Sequence, residues 1–263
     1  MMMQDDSKAD PDLPPIYAVK ALRAGRDAFV EAVGRAKAGD PAGIFLWARR
    51  SDCIDLAVVL EPDHPRAQSV PVCLVAMVAM LDALGGVIEP SVGVTFGWPD
   101  RIDVNGALVG GLRLGVAPCA AADDVPDWMV IGITIAVSGD LSDDSPGLKP
   151  DRTTLFDEGC GPVDIIDFLE RFGRYLLHWM NRWQEDGLDP VRHAWLGRES
   201  GFGEETAIYF NRERIAGHFA KLDEFGNAVL DIDGAQRVFA LDAAMQCCSW
   251  SRGDLLLARH AVS

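Results

Sequence analysis

Three segments of the chain repeat apolar side chains at the spacing of an α-helix. Residues 16–39 place an apolar residue at every third or fourth position and predict a helix as the first element. Residues 70–85 are apolar on nearly every side, which is typical of a helix buried against a sheet. Residues 162–186 are amphipathic, begin at a proline and end before Gly187, so they predict a long third helix.

Short apolar runs rich in β-branched residues predict the strands of the same domain. Each run is bounded by turn-forming residues, and in chain order they are residues 43–47, 53–60, 92–98, 101–104, 107–116 and 128–137. The pair Asn105-Gly106 between two of these runs is the strongest hairpin signal in the chain. Strands and helices in this order predict an α+β domain, a mixed β-sheet backed by helices.

Shorter runs after Gly187 predict a second unit, a small β-barrel. The runs are residues 207–210, 216–223, 228–233 and 236–241. Residues 139–161 are rich in Asp, Ser, Pro and Gly and predict an exposed connection before the third helix. We therefore divide the chain into three parts, which are a disordered leader over residues 1–15, a main domain over residues 16–187 and a small barrel domain over residues 188–263.

Composition narrows the possible partners. The net charge is -16 and the isoelectric point is near 4.6, which disfavours binding to nucleic acid or to an anionic membrane because both need a positive surface. A polar N-terminus without a basic and then apolar order, and the absence of a membrane-length apolar run, predict a cytoplasmic protein. The six cysteines and five histidines lack the spacing of a disulfide framework or of a metal site, so we expect no bound metal.

Four motifs follow one another in an informative order. Residues 98–104 read Trp-Pro-Asp-Arg-Ile-Asp-Val, residues 108–113 read Leu-Val-Gly-Gly-Leu-Arg, and residues 130–135 read Val-Ile-Gly-Ile-Thr-Ile. They resemble the Trp-Pro-Asn-Asp, Lys-x-x-Gly-Ile-Leu and Val-Ile-Gly-x-Gly-Ile-Asn strands of the biotin and lipoate protein ligases. Residues 218–230 look like the SH3-like barrel that follows in that family. The resemblance covers about residues 16–241 and implies the family's class II synthetase-like catalytic fold with a C-terminal SH3-like barrel.

That resemblance implies an activity and its cofactors. Such a ligase condenses biotin or lipoate with ATP, holds the acyl adenylate, and passes the acyl group to a lysine of a carrier domain. The family binds the phosphates with a glycine and arginine loop, Gly-Arg-Gly-Arg-Arg-Gly, and stabilises the developing charge with one lysine. Glycines let the backbone approach the phosphates, and cations offset their charge.

This chain departs from the family at those positions. Its loop reads Ala-Arg-Arg-Ser-Asp-Cys over residues 48–53, with two arginines and no glycine. Leu108 stands at the position of the family's lysine, and the strand asparagine is replaced by Ala136. Loss of one such donor typically costs about 100-fold to 1000-fold in rate. No catalytic residue is therefore assigned, and the active site is interpreted as degenerate.

Eight residues are candidates for ligand binding, and each has a structural reading as well. Arginines in the loop are either anion contacts or parts of a solvated turn, and the tryptophan is either a pocket wall or a core residue. The paired glycines indicate close approach by a ligand or by another backbone. The candidates are Arg49, Arg50, Trp98, Asp100, Arg101, Gly110, Gly111 and Arg113.

Two hypotheses from different functional classes follow. The first is a non-catalytic homologue that binds a small acyl or nucleotide-like ligand and keeps a surface for a biotinyl or lipoyl carrier domain. The second is an active, divergent biotin or lipoate ligase that uses ATP through Arg49, Arg50, Arg101 and Arg113. Octanoyltransferases of this fold use a cysteine with a nearby lysine, and Cys119 is the candidate for that chemistry, although none of the five lysines falls on the inferred site strands.

Overall fold

The main sheet combines strands from the whole first two thirds of the chain. The computed structural model describes residues 10–119, 121, 123–139, 152–199, 201–203, 205–211, 213–247 and 250. Its first sheet contains β1 (Ala18–Leu22), β2 (Ile44–Ala48), β3 (Cys53–Leu60), β4 (Val94–Gly97), β5 (Arg101–Val104), β6 (Ala107–Val116) and β7 (Met129–Ala136). The strand order is β1-β2-β3-β7-β6-β5-β4, with β1 parallel to β2 and the other neighbours antiparallel. The predicted mixed sheet is confirmed.

Helices cover both faces of this sheet. α1 (Ala28–Lys37) packs on one face through its alanines, against alternate side chains of β2, β3 and β7. α3 (Val72–Leu84), preceded by the short α2 (Arg66–Ser69), packs on the other face with α4 (Ile165–Asp186) and α5 (Asp189–Leu196). The helical segment Arg66–Leu84 has the length and hydropathy of a membrane span, but most of it is buried inside the protein. Its apolar sequence is that of a core helix between layers.

The first predicted helix is wrong in its first half. Ala18–Leu22 is a strand beside β2, and the helix starts only after Asp27, whose carboxylate accepts a hydrogen bond from the Val30 N–H at 3.1 Å. Gly25, at a φ of 90°, lies between the two elements. Apolar spacing alone did not separate a short edge strand from the helix that follows it, because both bury only one side.

The second unit differs from the predicted barrel. Its strands are β8 (Glu205–Phe210), β9 (Glu213–Leu222), β10 (Ala228–Ile232) and β11 (Ala235–Phe239), and α6 (Leu241–Met245) follows. They form an open antiparallel sheet in the order β11-β10-β9-β8. Among the described residues the two outer strands do not pair, so the sheet is not closed. The hairpin turns and the alternation of apolar and polar residues predicted the strands correctly. Whether a sheet closes into a barrel depends on the tilt and stagger of its strands, which the sequence pattern does not predict.

Two other predictions concern segments that are described only in part. Residues 140–151 of the connection predicted over residues 139–161, and residues 1–9 of the predicted leader, lie outside the described residues. From Asp10 onward the leader makes contacts: Leu13 packs against Gly173 of α4, and the Asp12 N–H donates to the Glu170 carboxylate at 3.0 Å. These contacts attach residues 10–15 to the main domain.

Candidate functional site

A polar row crosses the middle of the main sheet. It consists of Asp55 on β3, Thr134 on β7, Gly111 on β6 and Arg101 on β5, which are direct cross-strand partners of one another. Direct partners point to the same side of a sheet, and neighbouring strands are about 4.8 Å apart, so this central row spans roughly 14 Å. The shared side is the one that carries α1.

Helix α1 covers the sheet beside the central row but not the row itself. Phe29 packs on Gly132 and Gly115, which are alternate positions along β7 and β6. Arg113, two residues from Gly111, donates two hydrogen bonds of 2.9 and 2.8 Å to the carboxylate of Asp27, the residue that caps α1. The central row therefore lies just beyond the N-terminus of α1, on the side of Asp27.

The hydroxyl of Thr134 is the unusual group in this row. Thr134 is fully buried, and its Oγ1 has no hydrogen-bond partner among the described residues. A buried hydroxyl left without a partner costs about 1–3 kcal/mol, so nearly all of them are satisfied in folded proteins. The neighbouring Asp55 is also buried. The hydroxyl of Thr134 thus gives the face a polar group that a ligand with a donor or acceptor could satisfy.

The aromatic ring of Trp250 lies over the centre of this row. A side chain added at Gly111 would collide with the indole, which places the ring directly on the glycine. Trp250 also forms a small apolar cluster with Leu108, and both are almost fully buried. The indole N–H points to the carbonyl oxygen of Leu112 at 3.4 Å. Sequence reasoning missed Trp250, since nothing in the segment around it signals a contact more than a hundred residues away.

The two loop arginines lie at the same end of the sheet as Leu108, and both are paired with acids. Arg50 makes two hydrogen bonds of 3.0 and 2.6 Å to the carboxylate of Asp52, which together with Asp55 raises the pKa of the Arg50 guanidinium. Arg49 pairs with Asp10 at 2.9 Å and lies over the ring of Trp47. Since the charge of Asp55 contributes to the raised pKa of Arg50, the loop lies close to the Asp55 end of the central row.

The two strand arginines are also engaged. Arg101 ends the central row and donates to Asp103 at 2.9 Å. Arg113 binds Asp27 and lies 4.6 Å from the centre of the Phe29 ring, so it fastens α1 to the sheet. Each of the four predicted arginines therefore has a carboxylate partner within the protein.

Trp98 and Asp100 belong to the connection between β4 and β5. Trp98 is buried in the core, and its indole N–H donates to the carbonyl oxygen of Gly226 at 3.2 Å, which links the main sheet to the second one. The peptide bond between Trp98 and Pro99 is cis. Asp100 is fully buried, and its backbone carbonyl accepts from the Leu112 N–H at 2.9 Å. The burial of Trp98 agrees with its interpretation as a core residue rather than as a pocket wall.

The paired glycines have different neighbours. A side chain at Gly110 would collide with the backbone of Thr134 and Ile135 on β7, so this glycine permits close contact between strands. Gly111 instead meets the carbonyl oxygen of Asp100 and the ring of Trp250. Only the second of the two faces the central row.

Leu108 is held by a strand-like contact with the segment that returns after residue 151. Its carbonyl oxygen accepts from the Thr153 N–H at 3.0 Å, and its backbone pairs with Arg152. Leu108 also lies opposite Asp103, next to the central row. The sequence reading did not single out Arg152, a cation beside the position of the family's lysine.

Several other groups lie away from the row. Cys119 follows the far end of β6 from Leu108, where its Sγ lies 3.6 Å from the carbonyl oxygen of Ala117. A cavity of about 480 Å³ opens at the opposite end of β3 and β7, between Leu60, Met129 and Trp183. Within the described ranges no group of three or more His, Cys, Asp or Glu side chains is arranged to hold a metal ion.

A partly buried acid near the edge of the sheet was also missed by sequence reasoning. Glu199 follows α5 and pairs through its backbone with Phe96 of β4. Burial raises the pKa of its carboxyl to about 8, and the charge of Asp103 acts in the same direction, whereas a backbone hydrogen bond from Gly201 opposes both. Glu199 is thus protonated over much of the neutral range.

Known proteins resemble the chain in both sequence and fold. A biotin--[acetyl-CoA-carboxylase] ligase from Paracoccus denitrificans is 28% identical over 176 residues, which cover 66% of this chain and 71% of the relative. A biotin protein ligase-like protein of unknown function from Silicibacter sp. is 31% identical, with a TM-score of 0.78 over 88% of this chain and 97% of that one.

A more distant structure shares the fold. The biotin protein ligase from Aquifex aeolicus, solved with biotin and ATP, is 17% identical, with a TM-score of 0.68 over 86% of this chain and 96% of that one. The family model described as the biotin/lipoate A/B protein ligase family matches residues 13–197, which include every strand of the main sheet and helices α1 to α5. This chain therefore belongs to the biotin/lipoate A/B protein ligase family.

Proposed function

We propose that this protein binds a small acyl ligand on the central row without efficient catalysis, because its active site is degenerate. The proposal rests on the lack of cations available to a phosphate. Leu108 stands at the family's lysine position. The four candidate arginines are paired with carboxylates of the protein itself. An arginine that is paired with a carboxylate has part of its charge offset and fewer of its five N–H donors left for a phosphate.

The residues present do not fit the triphosphate of ATP. Phosphate binding needs free cations or a glycine-rich backbone, and the loop over residues 48–53 has neither a glycine nor an unpaired arginine. The buried acids Asp55 and Asp103 and the net charge of -16 add repulsion. We therefore derive no adenylation step for this chain.

An acyl acid of the biotin or lipoate type fits the same face better. Gly111 has no side chain, so a flat group such as the ring of Trp250 can lie on the sheet there, Leu108 supplies an apolar wall, and the buried hydroxyl of Thr134 offers one polar contact. Sites for small ligands commonly combine mostly apolar walls with a few polar groups. The Aquifex aeolicus ligase, which shares the fold, was solved with biotin and ATP.

The second candidate function is an active, divergent ligase that forms an acyl adenylate. Arg152 favours it, because this cation lies beside the position where the family has its lysine. The Paracoccus denitrificans relative is a ligase for acetyl-CoA carboxylase, so a biotinyl carrier domain is the partner to test in either case. We expect either activity to operate in the cytoplasm.

Ligand binding and turnover separate the two functions. We expect biotin, lipoate or octanoate to raise the melting temperature, whereas ATP should not; a ligand at 100 times its dissociation constant stabilises by about 2.7 kcal/mol. Pyrophosphate release from ATP with each acid should stay at background in the wild type. Robust turnover by the wild type would contradict the proposal and would direct attention to Arg152.

Replacement of Leu108 tests the missing lysine directly. Leu108→Lys should raise any residual pyrophosphate release, because one such donor is typically worth about 100-fold to 1000-fold in rate. Leu108→Met is the matched control, since it keeps a long side chain without a charge and should change nothing. Equal activity in the lysine and methionine variants, both shown to be folded by circular dichroism, would mean that Leu108 does not occupy the lysine's place.

A further inference from the structure

The cavity of about 480 Å³ lies where the main domain meets the second sheet. It opens beside Leu60 and Met129, which pair at one end of β3 and β7, and it reaches the turn between β9 and β10 at Phe225. Along β3, the distance from Leu60 to Asp55 of the central row is about 17 Å, at the rise of an extended chain. The cavity is therefore separate from the central row, and its volume is that of an ordinary site for a small molecule.

The walls of this cavity are mainly apolar. Val72, Met129 and Leu188 line it and are buried. Two aromatic side chains line it as well: Trp183 of α4 is partly buried, and Phe225 is 47% exposed. Because apolar surface gains free energy when it leaves water, a ligand that covers these rings gains affinity from an apolar body.

The charged side chains of the cavity are acidic. Three carboxylates line it, those of Glu61, Asp63 and Glu224, and the described residues of its wall include no lysine or arginine. Asp63 is engaged by His64 at 2.6 Å, whereas Glu61 and Glu224 are exposed and form no ion pair within the described part of the chain. The mouth of the cavity therefore attracts a cation and repels an anion.

The end of α4 adds to this negative potential. Trp183 and Gln184 belong to the last turn of the helix, which has no basic residue. Arg182, one residue earlier, is paired with Asp186 at 3.6 Å. The C-terminus of a helix carries a partial negative charge, and aromatic rings attract cations as well, so both features favour a positively charged ligand.

From these observations we propose that the cavity is a second binding site, which takes a small organic cation with an apolar body, such as an arylalkyl amine. The apolar walls hold the body, Trp183 and Phe225 offer aromatic surface, and Glu61 and Glu224 attract the ammonium group. This proposal goes beyond the proposed function and does not depend on it. The acyl acid carries the opposite charge and is assigned to the central row.

A matched pair of small molecules tests the charge preference. Phenylbutylamine and phenylbutanol have the same apolar body, but only the first is a cation at neutral pH. By calorimetry at low salt, the wild type should bind the amine at least about threefold more tightly than the alcohol. Added sodium chloride should reduce this preference, since it screens exposed carboxylates. No binding of the amine, or equal affinity for the two molecules, would overturn the proposal.

The two exposed glutamates test where the preference arises. The double variant Glu61→Gln with Glu224→Gln keeps the shape of both side chains and removes their charge, so it should bind the amine and the alcohol alike. Glu205→Gln, at an exposed position of β8 outside the cavity, is the matched control and should keep the preference of the wild type. A double variant that still prefers the amine as strongly as the wild type would show that the cation is bound elsewhere.

The aromatic wall is tested in the same way. Trp183→Ala should weaken binding of both molecules about tenfold, because it removes a large apolar contact. Tyr209→Ala, which removes a 40% exposed aromatic side chain of β8, is the control and should change neither affinity. If thermal melts show that Trp183→Ala is unfolded, Phe225→Ala at the exposed edge of the cavity takes its place. Wild-type affinity for the amine in a folded variant of this wall would refute the site.

Discussion

Glu199 shows at the scale of one residue how burial sets a charge. Its Oε2 is buried and has no hydrogen-bond partner among the described residues, and Asp103 is a nearby acid. Removing a carboxylate from water penalises the ionised form, and this penalty is the main reason why the pKa is raised to about 8. Asp103, whose charge contributes to the raised pKa of Glu199, lies opposite Leu108 and is paired with Arg101.

This raised pKa predicts a loss of stability as the pH rises. Between about pH 4.5 and pH 8 the unfolded chain releases the proton of Glu199 while the folded protein keeps it, so the free energy of unfolding falls by up to about 1.4 kcal/mol per pH unit. Glu199→Gln, which is neutral at every pH, should match the wild type at pH 4 and be more stable at pH 8. Thermal melts across this range measure the difference.

The matched control for this prediction is Glu205→Gln at an exposed position of β8. It should follow the wild type at each pH. If Glu199→Gln and the wild type differed by the same amount at pH 4 and pH 8, the carboxyl of Glu199 would not be protonated in the folded protein.

At the same scale, residue types could be predicted from the sequence but their partners could not. The arginines and the paired glycines were identified as candidates, yet two of the arginines are engaged by acids that no spacing rule connects to them. Asp10 lies 39 residues from Arg49, and Asp27 lies 86 residues from Arg113. Thr134 looked like an ordinary strand residue. Its importance comes from the neighbouring strands, which only the register reveals.

At the scale of elements, two glycines in different settings should respond oppositely to the same change. Gly110 in β6 has the backbone of β7 where a side chain would go, so Gly110→Ala should destabilise the protein by about 1–3 kcal/mol. Gly34 in α1 has open space around it, so Gly34→Ala should stabilise by about 0.5–1 kcal/mol through better helix propensity.

Urea unfolding of the two variants and the wild type checks this prediction. The midpoints should move in opposite directions while the slope stays constant, which is the sign of a pure change in stability. A stabilising Gly110→Ala would mean that β6 and β7 are farther apart than their register implies.

The elements themselves were largely predictable for a physical reason. α3 and α4 were found because their apolar patterns persist over several turns, and β6 because the Asn105-Gly106 turn fixes its start. Short elements without such signals, namely β1 and α5, were missed or merged with neighbours. The predicted strands after Gly187 were found, but whether they close into a barrel is decided by contacts between elements.

At the scale of the whole molecule, the candidate site is assembled from distant parts of the chain. The central row takes one residue from each of four strands, and the ring of Trp250, which follows the second sheet in the chain, lies on one of them. The family resemblance predicted the fold that holds these strands. It did not predict the contact of Trp250, which lies beyond the residues that the family model matches.

The position of β7 has a consequence for synthesis on the ribosome. β7 lies in the middle of the main sheet, between β3 and β6, although it is the last of the seven strands in the chain. Until it emerges, the nascent polypeptide holds two separate half-sheets whose inner edges have no partner, and the apolar α3 has no complete layer to cover it. Chaperones that recognise apolar segments and open strand edges are thus expected to act on this chain before β7 (Met129–Ala136) has emerged from the ribosome.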